Sequence, residues 1–335
     1  MEELLFAFPE HLLEGYRIGR NAPGPLPFSP REILFFGIGG SGIAGKILAR
    51  ILSLPLFFST LSSPPLPSWV GEGTLCIAST YSGNTEETLH LVREARKRKA
   101  FLLLLSQGGM LEKEKEERDI FVPLPGGLQP RFALGYMLGG LLGALEKLFP
   151  SLSFSSDLEE TQVHLKEALP TYASSSGLPY HIAREIAGTI PVFVGIEHYT
   201  DFAAWRFKTQ CNENAKHVAF ASTIPEAMHN EIVGFFHPEN LPLSFLILHD
   251  PEEPIFLATM AKAYAKHVAK RGLKVFEVQA QGTSFLCRAL SLVVFGDWLS
   301  LHLARVNAED PGRIPAITHL KRFFRKLECT FEGGD

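Results

Sequence analysis

The chain has 335 residues with 32 basic and 36 acidic side chains, a net charge of −4. That balance argues against a nucleic-acid binder, which carries a basic excess. Hydrophobic residues at 46% suffice for sizeable cores, and at ~150 residues per domain the length suggests two units. In chain order, "EILFFGI" (32–38) reads as a buried strand closed by glycine, and "GIAGKILARIL" as the following helix. "TLCIAST" (74–80) is a second strand, "TEETLHLVREARKRK" (85–99) a helix and "AFLLLLS" (100–106) a third strand. "KEKEERD" (113–119) reads as a solvated face, "IFVPLP" as a short extended piece and residues 131–149 as a long apolar helix.

The polar, turn-rich stretch "PSLSFSSDLEE" (150–160) marks a boundary, giving units 1–150 and 151–335. The scheme then repeats. Helix "PYHIAREIAG" precedes strand 189–196, helix 200–216 and strand 242–250. Helix "IFLATMAKAYAKHVAKRG", strand "LKVFEVQA", a long buried helix from Ser284 and a final helix at 315–327 complete the chain. Strands separated by helices predict an α/β fold, each unit a mainly parallel sheet with helices on both faces.

The termini and cysteines bear on location. No apolar run reaches the ~20 residues of a membrane span, and the acidic start lacks the basic opening of a signal peptide. Cys76, Cys211, Cys287 and Cys329 are scattered, with no CxxC. They read as reduced thiols, so a cytoplasmic protein is expected. Neither HxH nor HExxH occurs, so no metal is expected.

The loop "GIGGSG" fits GxGxxG at Gly37, Gly39 and Gly42. A nicotinamide site needs an acidic residue ~20 positions on, but none lies between Glu32 and Glu72. A Walker loop needs a hydroxyl after Gly-Lys, where this chain has Ile47 after Gly45-Lys46. A second loop, "STYSGNTEET" (79–88), also joins a strand to a helix and offers the hydroxyls of Thr80, Ser82 and Thr85. Helix-start amides and hydroxyls suit a phosphate monoester. Gly39, Gly40, Ser41, Thr80, Ser82 and Thr85 are therefore the expected phosphate cradle. Helix capping accounts for one or two of these hydroxyls, not three beside a glycine loop.

Five motifs, "GIGGSG", "TYSGNTEET", "QPRFALGY", "NENAK" and "EAMHNE", together resemble the bifunctional phosphoglucose/phosphomannose isomerases, which are two sugar-isomerase (SIS) domains in one chain. The resemblance covers essentially the whole sequence. It implies aldose–ketose isomerisation of glucose 6-phosphate and fructose 6-phosphate, and of mannose 6-phosphate, without a cofactor, in a homodimer with shared sites. That reaction needs a base for the C2 proton, an acid/base group for ring opening and a fixed cation for the enediolate.

By the resemblance, Glu213 is the base, Arg131 the cation beside the C1–C2 oxygens, and His229 the ring-opening group reaching the neighbouring subunit's site. Lys321, with Lys326 close by, assists ring opening. On position alone each has a blander reading: a solvated helix-end glutamate, a surface arginine, an ordinary histidine, the polar face of a terminal helix. The family commonly has serine where this chain has Thr80, which keeps a donor, and threonine where it has Ile314, which does not. Ile314 is thus the expected specificity position, disfavouring mannose 6-phosphate. Rival readings are an isomerase of another sugar phosphate and a regulator that binds a sugar phosphate without turnover. Regulators of that kind often carry a helix-turn-helix, for which residues 1–30 are too few and too proline-rich.

Overall fold

The computed structural model describes residues 1–52, 56–235, 241–320 and 323. The chain opens with α1 (Glu2–Phe6) and α2 (Phe8–Gly19), then β1 (Glu32–Phe36), α3 (Gly40–Ile51), β2 (Phe57–Leu61), β3 (Thr74–Ser79) and α4 (Glu86–Lys97). β4 (Phe101–Ser106), α5 (Gly109–Lys113), β5 (Ile120–Pro123) and α6 (Leu134–Leu148) follow. Next come α7 (Ser155–Ala173), α8 (Leu178–Ile186), β6 (Ile190–Ile196), α9 (Asp201–Ala215) and β7 (Phe220–Ile224). The remainder is α10 (Glu231–Gly234), β8 (Leu243–His249), α11 (Ile255–Ala269), β9 (Lys274–Gln279) and α12 (Phe285–Val306).

Two parallel sheets result, ordered β2-β1-β3-β4-β5 and β7-β6-β8-β9. The α/β expectation holds. The strands read from apolar runs at 32–38, 74–80, 100–106, 189–196 and 242–250 are central ones: all six residues of β3 are buried, while "LKVFEVQA" is the partly exposed edge strand β9. The edge strands β2 and β7 are half exposed and carry no such run, so the sequence reading passes over them. In each sheet the chain steps from its second-placed strand (β1, β6) to the edge and returns on the other side (β3, β8). Open α/β sheets bind ligands outside the carboxyl ends of strands at such a reversal. In the first sheet that point lies between β1 and β3, where Phe36 is level with Ala78.

One apolar cluster runs from α2 and α6 through α7 and α8 to α9 and α12. α12 is long and apolar enough to cross a membrane by length and composition, but its apolar window is wholly buried inside the protein. Residues 150–160, read as a boundary, contain the start of α7. α2, also unforeseen, lies in contact with α6 at backbone distance. A Cβ on Gly139 or Gly143 would stand 2.1 Å from the carbonyl oxygen of Leu12 or Tyr16. A larger side chain has nowhere to go because backbone must move. Gly143→Val should therefore cost roughly 1–3 kcal/mol, read as a lowered Tm; an unchanged Tm would show that the two helices can separate freely.

Candidate active site

The glycine loop leaves β1 and enters α3. Gly39 takes a positive φ of 58°, which glycine adopts without strain. At Gly40 a Cβ would lie 2.9 Å from the carbonyl oxygen of Pro130 and 3.1 Å from the Cα of Arg131. Glycine here lets the loop rest on the 3-10 turn Pro130–Phe132. Ser41 is buried. Its hydroxyl accepts from the Tyr81 amide at 3.3 Å and lies 3.3 Å from the Met137 sulfur, so it braces the two loops together.

The second loop leaves β3. The Thr80 and Thr85 hydroxyls are paired at 2.8 Å, and the Ser82 hydroxyl accepts from the Asn84 amide at 3.2 Å. Thr85 is the N-cap residue of α4, yet its side chain makes no cap hydrogen bond. Capping is thus not what its hydroxyl does. The corresponding end of the second sheet is different in charge. From the last residue of β8 the chain reads His249-Asp250-Pro251-Glu252-Glu253, and His249 lies 3.0 Å from Glu253 and 2.9 Å from Glu277. Those carboxylates hold the imidazole above its ordinary pKa, against its burial. That end is rich in carboxylates, which disfavours a phosphate dianion there relative to the uncharged loops of the first sheet.

The helix expected from Arg131 onward is two elements. Pro130 begins a separate 3-10 turn, and α6 starts at Leu134. The turn aims Arg131, 3% exposed, at α9. Its Nε donates to Asn214 Oδ1 at 2.8 Å, its Nη1 to Glu213 Oε2 at 3.4 Å and its Nη2 to the Pro311 carbonyl at 2.5 Å. Burial holds the guanidinium below the ordinary arginine value; Glu213 opposes this and Arg206 adds to it.

Glu213 stands in the last turn of α9 with its side chain 27% exposed. Its neighbours in the sequence face other ways. Asn212 Oδ1 accepts from the Ala219 amide at 3.2 Å, and Asn214 is fully buried against α12. Lys216 ends the helix in the left-handed conformation. Its ammonium bonds the carbonyls of Asn214 and Asp310. With Gln129 Nε2 on the Gly312 carbonyl at 2.9 Å, three side chains thus hold three consecutive carbonyls, 310–312, over the site.

The structure brings together the glycine loop, Arg131 and Glu213. It leaves His229 apart: exposed, after the 3-10 turn Glu226–Met228. Among the described residues no hydrogen bond or ion pair joins it to Glu213 or Arg131. Exposed Val218, Phe220 and Val233 lie near it in sequence. Ile314 is half-buried and lines a cleft of about 650 Å³ with Gln129, Thr318 and His319. Lys321 and Lys326 lie outside the described residues.

Sequence reasoning missed Gln129 and Lys216, although both sit inside quoted motifs. It also missed the buried polar set Arg206, Gln210, Asn214, Asp297 and Ser300. Two signals were available: the four-residue spacing of Arg206, Gln210 and Asn214, and the polar residues interrupting the apolar run of α12.

Residues 177–323 match the family described as bacterial phospho-glucose isomerase C-terminal SIS domain. A hypothetical protein of Thermus thermophilus superposes with a TM-score of 0.72 at 18% identity, covering 96% of this chain and 89% of that one. A D-glucosamine-6-phosphate 4-epimerase of Sulfolobus acidocaldarius is 34% identical over 64% of this chain and 67% of its own length. A bifunctional phosphoglucose/phosphomannose isomerase of Caldicellulosiruptor bescii is 32% identical over 98% of this chain and 100% of its own length. On that full-length match, together with the SIS domain, the chain belongs to the bifunctional phosphoglucose/phosphomannose isomerase family.

Proposed function

We propose that the chain interconverts glucose 6-phosphate and fructose 6-phosphate, and accepts mannose 6-phosphate, through a cis-enediolate. The observation that carries this is the ion pair of Arg131 and Glu213 beside the glycine loop. The phosphate sits on the amides and hydroxyls of the two loops. Glu213, part-exposed and beside a fixed cation, takes the C2 proton and returns it to C1. Arg131 balances the charge that develops on the C1–C2 oxygens. Ring opening precedes this and uses Lys321 with His229 of the partner subunit. The exposed His229, with exposed Val218, Phe220 and Val233 near it in sequence, suits a homodimer that shares its sites. A cytoplasmic setting fits such chemistry.

The test is a coupled assay with fructose 6-phosphate supplied and glucose 6-phosphate read. Turnover supports the isomerase. Binding without turnover would make the chain a regulator. Turnover of glucosamine 6-phosphate alone would move it to the epimerase relative's activity.

Phosphate binding gives its own expectation. Ser82→Ala and Thr85→Ala should each raise KM by roughly 10- to 150-fold, since a hydrogen bond to a charged group is worth about 1.5–3 kcal/mol, with a smaller change in kcat. Unchanged KM in both would take the phosphate away from this loop.

Ile314 gives another. Glucose and mannose 6-phosphates share one enediol, so serving both requires a pose in which the C2 hydroxyl is displaced. Ile314 lines the cleft by Gln129 and offers that hydroxyl no partner. At about 1–3 kcal/mol for an unpaired group, glucose 6-phosphate should be preferred by roughly 5- to 100-fold in kcat/KM, and Ile314→Thr should narrow the ratio. A ratio that Ile314→Thr leaves unmoved would separate Ile314 from the substrate.

A further inference from the structure

α9 and α12 pack against each other in the core beside the site. Arg206, Gln210 and Asn214 are four residues apart on α9 and so share one face. Asp297 and Ser300 meet them from α12, and all five are at most 1% exposed. Arg206 grips Asp297 with two bonds, Nε to Oδ1 at 2.9 Å and Nη2 to Oδ2 at 2.7 Å. Gln210 Nε2 adds a third to Oδ1 at 2.9 Å. Ser300 donates to the Asp297 carbonyl at 2.7 Å and accepts from Asn214 Nδ2 at 2.9 Å.

This network ends on Arg131 at two places. Arg206 Nη2 donates to the Arg131 carbonyl at 3.0 Å, and Asn214 Oδ1 accepts from Arg131 Nε at 2.8 Å. A buried polar network is costly to build, and apolar side chains could hold two helices together at least as well. What it supplies is direction. Guanidinium donors lie in a rigid plane. With the backbone held at one end and Nε held at the other, Nη1 is left facing Glu213.

We propose that Asn214 is a positioning residue for the isomerisation: its amide oxygen, oriented by Ser300, aims the Arg131 guanidinium at Glu213 and at the C1–C2 oxygens. The inference rests on the roles given above to Glu213 and Arg131. The amide chemistry matters. A carboxylate in its place would compete with Glu213 for the same cation and would repel the Glu213 charge. The amide aims the guanidinium without taking its charge. Among the described residues the charged groups around this point are Arg131, Glu213, the Arg206–Asp297 pair and Lys216, whose ammonium bonds the Asn214 carbonyl and is faced in turn by Glu309, Asp310 and Arg313.

The experiment measures kcat, KM, Tm and the pH profile of kcat/KM with fructose 6-phosphate for Asn214→Asp, Ser300→Ala and Glu213→Gln. For Ser300→Ala, kcat should fall about three- to tenfold with KM within about twofold, since of its two hydrogen bonds only the neutral one that orients the Asn214 amide bears on Arg131. For Asn214→Asp, kcat should fall at least about tenfold, and the acid limb of the profile should move up by about one pH unit or more, because like charge raises the pKa of the base. A role confined to helix packing lowers Tm and leaves the acid limb in place. An unmoved limb in folded Asn214→Asp, or an unchanged kcat in Ser300→Ala, overturns the proposal. If Asn214→Asp yields no folded protein, the kcat–KM split in Ser300→Ala decides alone. Activity in Glu213→Gln sinks the parent reading. Inactive Glu213→Gln with an unmoved limb in Asn214→Asp sinks only this one.

Discussion

Glu213→Gln should lower kcat with fructose 6-phosphate by at least about 10²-fold while leaving KM nearly unchanged. The substitution keeps the shape, and the amide oxygen still accepts from Arg131 Nη1, now 3.4 Å from the carboxylate. Proton acceptance is lost, and with it the negative charge facing Arg131. Glu213 is part-exposed but its partner Arg131 is buried, and taking the counter-charge from a buried cation lowers stability, so the variant's activity is read well below its own Tm. The same variant tests the shared site. Mixed with His229→Ala, itself inactive, it should recover part of the activity, because one site of each mixed dimer then has the native Glu213 and the partner's native His229. Near-normal turnover in Glu213→Gln would place the base elsewhere. No recovery after proven subunit exchange would assign both residues to one subunit's own site.

Arg131→Lys should reduce kcat/KM by about 10²–10³-fold, the usual loss when an oriented donor to a developing oxyanion is removed. Lysine keeps the charge and loses the planar fork. The three directions now served by Nε, Nη1 and Nη2 lead to Asn214, Glu213 and Pro311. One ammonium cannot serve all three in that geometry. The fully buried Asn214 amide oxygen would then lose its donor, which adds a stability loss of roughly 1–3 kcal/mol. The two effects separate by temperature: activity measured well below the lowered Tm should remain depressed. A kcat/KM within about threefold of the native value would remove Arg131 from the chemistry.

Much of the scaffold was legible along the chain. The strands at 32–38, 74–80 and 100–106 appear as β1, β3 and β4. They are buried apolar runs closed by turn residues, so local composition suffices to find them. The edge strands β2 and β7 were not: they are five residues long, partly exposed and without a buried apolar run, although the longer edge strand β9 was found. The N-terminal helices were not, because their reason lies in α6. Glycines placed along α2 and α6 say nothing in either segment alone; only when the helices meet do they permit backbone contact. The helix expected from residue 131 was two elements, since Pro130 starts a turn of its own.

By itself, the sequence determined the alternation of strand and helix, the two loops at neighbouring strand ends and the motifs that carry the family resemblance. Each is a matter of residues within about ten positions of one another, where periodicity, turn chemistry and helix-start geometry act directly. Tertiary structure alone decided which polar groups meet. Arg131 and Glu213 are 82 residues apart, and Asn214 and Ser300 are 86 apart. A buried polar group must find a partner, and the sequence shows that need plainly. Which partner it finds depends on how α9, α12 and the Pro130–Phe132 turn pack together, and that is settled by the apolar surfaces those elements bury, not by the polar residues themselves.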